Sequence, residues 1–263
     1  MKHQARKRFG QNFLQDESVI TRMITALKPA ADDLIVEVGP GLGALTLPLL
    51  SQLDKLHVVE IDRDLIARLR ERQLPNLHIH EGDVLNMDWQ ELATEQPLRI
   101  VGNLPYNIGT PLLLNLLALH PIIKDVHVML QKEVVDRLNA VSGTRSYGRL
   151  SVLMQSVFSI TPLFSVPPES FSPMPKVQSA VVRLRTLETA LPVSQIMALQ
   201  QTTRLAFAAK RKTLRNNFKG HLNEQQLLAV DIDPSARAET LALEDFLRLA
   251  ELLNQQNTLQ QGG

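Results

Sequence analysis

Four adjacent residues, Asn103-Leu104-Pro105-Tyr106, interrupt what otherwise reads as the end of a buried strand. Their types suit chemistry on an aromatic amine. The exocyclic nitrogen of adenine is a weak nucleophile, because its lone pair is delocalised into the ring. The Asn103 carboxamide oxygen and the Leu104 carbonyl could accept its N–H groups from outside the ring plane, which favours a pyramidal nitrogen with a freed pair. Pro105 fixes the chain direction and donates no hydrogen bond. Tyr106 offers a face on which a base can stack, a contact of about 1–3 kcal/mol. A base in a nucleic acid must leave its stack to arrive there. The plainer reading is a strand end capped by asparagine beside a packed tyrosine.

A second group of residues sits upstream. Leu34–Val38 runs into G-P-G-L-G, with glycines at 39, 41 and 43. Glycine lets the backbone turn sharply and approach a ligand closely, and Gly39, Gly41 and Ala44 fit the dinucleotide pattern G-x-G-x-x-A. Glu60 follows about 20 residues on, where an acid can bind ribose hydroxyls. Asp83 holds the equivalent place after the next strand and could accept from the amine of an adenine. Alone, each acid reads as a solvated loop residue. Together they describe a pocket for an adenosine-containing cofactor. A pyrophosphate ligand such as NAD would use the helix N-terminus, whereas S-adenosylmethionine has no phosphate. The glycine corner does not choose between them. The Asn103 corner favours S-adenosylmethionine, with positioning for in-line attack on a sulfonium methyl. That reaction needs neither a metal nor a strong general base. No metal site is expected: the seven histidines are scattered, and His78 and His80 are the one close pair.

These residues need a scaffold that brings strand ends together. Strand candidates at Leu34–Val38, Leu56–Ile61, Leu77–His80, Leu98–Val101 and Val126–Leu130 alternate with helical segments at Leu45–Leu53, Asp64–Arg72, Thr110–Leu119 and Lys132–Ala140. Later strands are expected at Phe158–Val166 and Ser179–Arg185. Alternation of this kind implies a mostly parallel, Rossmann-like α/β sheet with helices on both faces. Ligands of such sheets sit beyond the carboxyl ends of the strands. After Leu187 no strand candidate remains. Leu191–Asn217, Asn223–Val230 and Ser235–Asn254 read as helices, which sets a boundary between residues 1–187 and a smaller all-α domain at 188–263, with a disordered tail.

A chain of 263 residues that is 44% hydrophobic can bury a sizeable core, and a net charge of +1 points to no partner by itself. The local distribution does. No Asp or Glu lies between Thr189 and Asn223, and R-L-A-F-A-A-K-R-K-T-L-R-N-N-F-K carries six Lys or Arg. On one continuous helix Arg204, Arg211, Arg215 and Lys219 would share a face, flanked by Phe207, Leu214 and Phe218. With Lys210 and Lys212 they form the expected RNA-binding surface. Lys2, Arg6, Lys7 and Arg8 form a second basic patch. The alternative is a solvated basic face. Absence of cysteine excludes disulfides and thiolate chemistry. No segment reads as a secretory signal or a membrane span, so a cytoplasmic protein is expected.

The motifs R-K-R-F-G-Q-N-F-L, E-V-G-P-G-L-G-A-L-T, E-I-D-R-D, G-D-V, N-L-P-Y-N-I, L-Q-K-E-V-V and P-K-V-Q-S-A-V-V-R-L resemble, in order and spacing, those of the ribosomal RNA adenine dimethyltransferases, over Arg6 to about Leu252. The resemblance is strongest to the branch that acts on small-subunit (16S) RNA. It implies cofactor contacts at Asn12, Leu14, Gly39, Gly41, Glu60, Asp83 and Asn103, and a catalytic group of Asn103, Leu104, Pro105 and Tyr106. It places Phe171 across the target base from Tyr106. It further implies dimethylation at N6 of two adjacent adenosines in a hairpin near the 3′ end of 16S RNA, within the small subunit or its precursor, by a monomer. Three other readings stand beside it. They are an NAD-dependent oxidoreductase, which leaves Asn103–Tyr106 and the basic run unexplained, a ribosome-assembly factor with incidental catalysis, and the related enzyme of the large subunit.

Overall fold

The computed structural model describes residues 11–93 and 96–261, with side chains described through residue 256. The basic patch at Lys2, Arg6, Lys7 and Arg8 lies outside them. The expected α/β sheet is present. Its seven strands are β2 (Ile35–Val38), β3 (Leu56–Glu60), β4 (Leu77–Glu81), β5 (Leu98–Asn103), β6 (Ile123–Gln131), β7 (Phe158–Val166) and β9 (Ser179–Thr186). They lie in the order β4-β3-β2-β5-β6-β9-β7. The pairs β2/β3, β3/β4, β2/β5 and β5/β6 are parallel, and β9 pairs with β6 antiparallel.

The strand sequences explain the order. Parallel strands covered on both faces read as continuous apolar runs, and every residue of Ile35–Val38 and Leu56–Glu60 is buried. Edge strands β4 and β7 instead mix half-buried with exposed positions, with one flank of the sheet open to solvent. The helices α2 (Thr46–Leu50), α3 (Arg63–Glu71), α4 (Trp89–Leu92) and α5 (Gly109–Leu119) fall between the parallel strands. Leu112, Leu113, Leu116 and Leu117 of α5 are fully buried, each burial contributing about 1.5–3 kcal/mol.

Three elements near the N-terminus and the late strands were not anticipated. Helix α1 (Glu17–Leu27) starts at Asp16, whose carboxylate accepts from the Ser18 and Val19 amides, a strong N-cap. Val19, Met23, Ile24 and Leu27 form its buried stripe. Its C-terminal carbonyls at Leu27 and Lys28 accept from the Arg99 guanidinium at 2.6 and 3.3 Å, which satisfies groups that a helix end leaves open. Short strands β1 (Phe13–Leu14) and β8 (Phe171–Ser172) pair antiparallel, Leu14 opposite Phe171. The ribbon is fastened where α1 begins: the Gln15 amide donates to the Ser170 carbonyl at 2.9 Å, and the Ser170 hydroxyl to Asp16 at 2.8 Å.

Two compact units partition the chain. One comprises residues to Val135 and Ser159–Thr186, the other Asp136–Phe158 and the chain from Leu187. The expected uninterrupted domain 1–187 therefore needs correcting: Asp136–Phe158, with α7 (Arg149–Gln155), clusters with the helical unit, and the partition falls inside α6 (Lys132–Leu138). In that unit the Gln155 amide donates to the Leu138 and Ala140 carbonyls, and the Leu187 amide to Val157.

The helical unit also contains α8 (Val193–Ala206), α9 (Leu214–Asn217), α10 (Glu224–Leu228) and α11 (Leu243–Gln261). The single helix expected over Leu191–Asn217 is broken. It ends at Ala206, because the Asn217 side chain takes the Ala206 carbonyl at 2.6 Å and Phe207 stacks on Phe246, 5.5 Å between centroids. Ser235–Asn254 is likewise not one helix, since a turn at Ala238–Thr240 precedes α11. The tail expected to be disordered continues α11 through Gln261. Its Gln-, Asn- and Leu-rich sequence holds no Gly or Pro before Gly262, so nothing breaks the helix earlier. No helix of the described residues is long and apolar enough to cross a membrane.

Candidate active site

Register decides which residues meet. Val38 lies beside Val59, Val59 beside His80 and Glu60 beside Glu81, while Glu37 lies beside Val101 and Asn103 beside Met129. The strands β2, β3, β4 and β5 thus end in line, and the loops that leave them gather at one edge of the sheet. A cavity of about 330 Å³ opens there. It is lined by all seven residues expected at the cofactor, Asn12, Leu14, Gly39, Gly41, Glu60, Asp83 and Asn103, and by Leu104, Pro105, Tyr106 and Phe171.

Each is held by its local chain. Gly39 and Gly41 sit at φ +68° and +58°, left-handed values that favour glycine. A Cβ on Gly41 would stand 3.1 Å from the Phe13 ring, so a side chain there would press on the β1 ribbon. Glu60 is buried, and its carboxylate accepts from the Ile61 and Asp62 amides at 2.9 Å and from the Gly41 amide at 3.4 Å. Burial outweighs these bonds and pushes its carboxyl up. Asp83 accepts from the Leu85 amide at 3.0 Å, capping a short turn.

Asn103 is half-buried at the end of β5. Its amide nitrogen donates to the Asn12 carbonyl at 2.9 Å, which fixes the carboxamide and leaves its oxygen as the acceptor. The Leu104 amide donates to the Met129 carbonyl at 3.2 Å, so the Leu104 backbone is held by the neighbouring strand. The Tyr106 hydroxyl and the Ser179 hydroxyl lie 3.3 Å apart. Phe171 is buried on β8.

The charge of the lining selects the ligand class. Glu37, Glu60 and Asp83 line the cavity, and among the described residues no Lys, Arg or His does. Such a wall repels a pyrophosphate and attracts a cation. S-adenosylmethionine carries a sulfonium and an ammonium against one carboxylate, so the residues present fit it.

Glu37 escaped the sequence reading, where it looked like one more position of a buried strand. It is 1% exposed, and its carboxyl accepts from the Thr46 hydroxyl at 2.6 Å. Burial, together with the nearby Glu60 charge, pushes it up to about 7. Gly102 was missed too: a Cβ there would lie 2.4 Å from the Val38 carbonyl. His57 joins the noted histidines, its Nδ1 2.9 Å from His80 Nε2 and its ring stacked on His78 at 5.1 Å. Among the described residues no group of three or more ligand-type side chains could hold a metal.

Arg204, Lys210, Arg211, Lys212, Arg215 and Lys219 are all exposed. Arg204, Arg211, Arg215 and Lys219 do not share the face of one continuous helix as expected. Arg204 is on α8, Lys210, Arg211 and Lys212 are in the turn after it, and Arg215 is on α9, 3.6 Å from Glu224.

The family model described as ribosomal RNA adenine dimethylase matches residues 2–255. The chain is 49% identical over 261 residues to the ribosomal RNA small subunit methyltransferase A of Marinobacter nauticus, covering 98% of this chain and 95% of that one. It is 52% identical over 251 residues to the protein of that name from Laribacter hongkongensis, with 95% and 96% covered. Among solved structures it resembles a dimethyladenosine transferase from Plasmodium falciparum, with TM-score 0.80, 26% identity, and 93% and 98% of the two chains covered. It also resembles the 23S rRNA methyltransferase ErmE, with TM-score 0.68, 26% identity, and 92% and 100% covered.

Proposed function

The chain belongs to the ribosomal RNA adenine dimethylase family, and from that premise we propose that it transfers methyl groups from S-adenosylmethionine to the N6 amines of two adjacent adenosines in a hairpin near the 3′ end of 16S RNA. The observation that carries this reading is the Asn103 carboxamide, pinned through its nitrogen to Asn12, with its oxygen left as an acceptor beside a cavity whose charged groups, among the described residues, are all acids. The identity of about half of all residues to small subunit methyltransferases favours the small-subunit RNA over the large.

The cofactor supplies a methyl group on a sulfonium, which is its own leaving group. Glu60 is oriented by three backbone amides to accept ribose hydroxyls, and Asp83 to accept the amine of the cofactor's adenine. Gly39 and Gly41 let the loop approach without side chains, while Asn12 and Leu14 close the cavity from the β1 ribbon. Asn103 and the Leu104 carbonyl accept the two N–H groups of the target amine and localise its lone pair. Tyr106 and Phe171 hold the extruded base by its faces, and Pro105 sets the direction of the corner. The amine loses its proton after methylation, when it has become acidic, so no strong base is required. The site must admit an amine and a methylamine, as dimethylation demands.

Arg204, Lys210, Arg211, Lys212, Arg215 and Lys219 are the proposed phosphate contacts, exposed at the end of α8 and around α9. We place the protein in the cytoplasm, as a monomer working on the small subunit or its precursor. The experiment is to incubate it with labelled S-adenosylmethionine and small subunits lacking the modification, then map the label. Two neighbouring N6,N6-dimethyladenosines near the 3′ end are expected, and none with Asn103→Ala. Label in large-subunit RNA alone overturns the assignment.

A further inference from the structure

Glu37 is the one acid of the cavity to which the proposed function gives no task. Its side chain is buried on β2, one residue before the strand ends, and it lines the cavity. The groups around it are of one sign. From β3 it feels the Glu60 charge; Asp83 lines the same cavity from the loop after β4; and α2 contributes the Thr46 hydroxyl, at 2.6 Å. Among the described residues no cation lines that wall. A buried carboxylate without a cation is costly, and here the missing partner is on the ligand side.

We propose that Glu37 is the residue by which the site distinguishes the cationic methyl donor from its neutral thioether product, an inference that rests on the function proposed above. Transfer breaks a carbon–sulfur bond, leaving its electron pair on sulfur, and forms a carbon–nitrogen bond with the amine's pair. The amine N–H proton departs to solvent. The ligand then carries one positive charge fewer: the product's ammonium is balanced by its own carboxylate, and no net positive charge is left to offset Glu37. The carboxyl is ionised while the sulfonium is present and takes a proton from solvent once the thioether replaces it. Its neutral-range titration in the free protein, where burial holds it up to about 7, is consistent with this. Binding of the donor is therefore coupled to proton release, and binding of the product is not.

Calorimetry on the full chain tests this without turnover. S-adenosylmethionine and S-adenosylhomocysteine are titrated separately near pH 6.5, in buffers of different ionisation enthalpy. The slope of heat against that enthalpy counts protons. The donor is expected to release more than the product, by up to about one proton, and its relative affinity to rise by up to about tenfold per pH unit on the acid side, flattening above neutrality. In Glu37→Gln the difference in proton count disappears. Equal counts for the two ligands in the unaltered protein overturn the proposal, as does a difference that survives in Glu37→Gln. Thr46→Val covers the case in which that variant does not fold. It removes the hydroxyl that favours the carboxylate, so the pH of maximal release must move upward, and an unmoved maximum is equally fatal. Failure of both ligands to bind refutes the cofactor assignment itself, a result distinct from binding with equal counts.

Discussion

The same carboxyl governs stability in the absence of ligand. Glu37 titrates near 4.5 when exposed and is pushed up to about 7 by burial, with a lesser contribution from the Glu60 charge. Between those pH values the folded protein holds a proton that the unfolded chain has lost. Stability therefore falls as pH rises through this window, and it is flat above it. At about 1.4 kcal/mol for each pH unit, the loss is ~3 kcal/mol, a large part of the roughly 5–15 kcal/mol that holds a typical domain together. Glu37→Gln removes the titration while its carbonyl still accepts from Thr46. The new amide N–H groups have no acceptor in exchange, which costs about 1–3 kcal/mol at every pH. The difference between variant and unaltered protein is thus negative near pH 4.5 and climbs by ~3 kcal/mol towards pH 8. His57 works in the opposite direction: burial, then His80 and His78, push it down to about 4. Its contribution is present above its ordinary range and is lost as pH falls towards 4. That term is common to both proteins and cancels in their difference. Urea unfolding at half-unit steps from pH 4.5 to 8, without ligand, measures the curve. A difference that stays flat within about 0.5 kcal/mol would mean that Glu37 ionises as if exposed, and the cost assigned to its burial would be wrong.

Two other substitutions probe the frame around the site. Arg99→Ala leaves the buried Asp125 without its guanidinium, leaves Asp33 with Lys124 alone as cation partner, and frees the terminal carbonyls of α1; urea unfolding should show a loss of ~3–5 kcal/mol. Gly102→Ala drives a Cβ to within 2.4 Å of the Val38 carbonyl. Parting β2 from β5 should cost about 1–3 kcal/mol. Because the displaced neighbour is Asn103, methyl transfer should fall by roughly 10²-fold, with single-turnover rates as the readout.

The legibility of each segment depended on its physics. Strands β2, β3, β5 and β6 were legible because a strand buried on both faces must be apolar throughout, and its end is marked where glycine or a polar residue intrudes. The β1–β8 ribbon was not legible as structure, since two-residue strands carry no periodicity. Phe13–Leu14 finds its partner 158 residues away, at Phe171–Ser172, and only the family motifs hinted that these segments meet. Helix α1 was missed although Asp16 and the Val19, Met23, Leu27 spacing were there to see. The break after Ala206 was hidden for another reason. Every residue from Leu205 to Leu214 tolerates a helix, and the stop comes from Asn217 reaching back to the Ala206 carbonyl. A contact made by folding leaves no local mark.

The cavity separates what sequence position can tell from what only charge balance can. The places of Glu60, Asp83 and Asn103 were set by the ends of parallel strands, so counting along the chain sufficed to find them. Glu37 occupies an inward strand position that hydrophobic pattern alone assigns to the core, and a carboxylate there breaks the local rule without visible compensation. Such a violation persists where function requires it. The nearest ionisable partner is another acid, and only the Thr46 hydroxyl works against the burial, without overcoming it. A cationic ligand does, and it offsets Glu37 and Glu60 together. An uncharged adenosine analogue would fill the same space and leave both acids uncompensated. The selectivity of this site for a sulfonium is thus located less in the shape of its glycine loop, which dinucleotide enzymes share, than in a lining that, among the described residues, holds acids and no Lys, Arg or His.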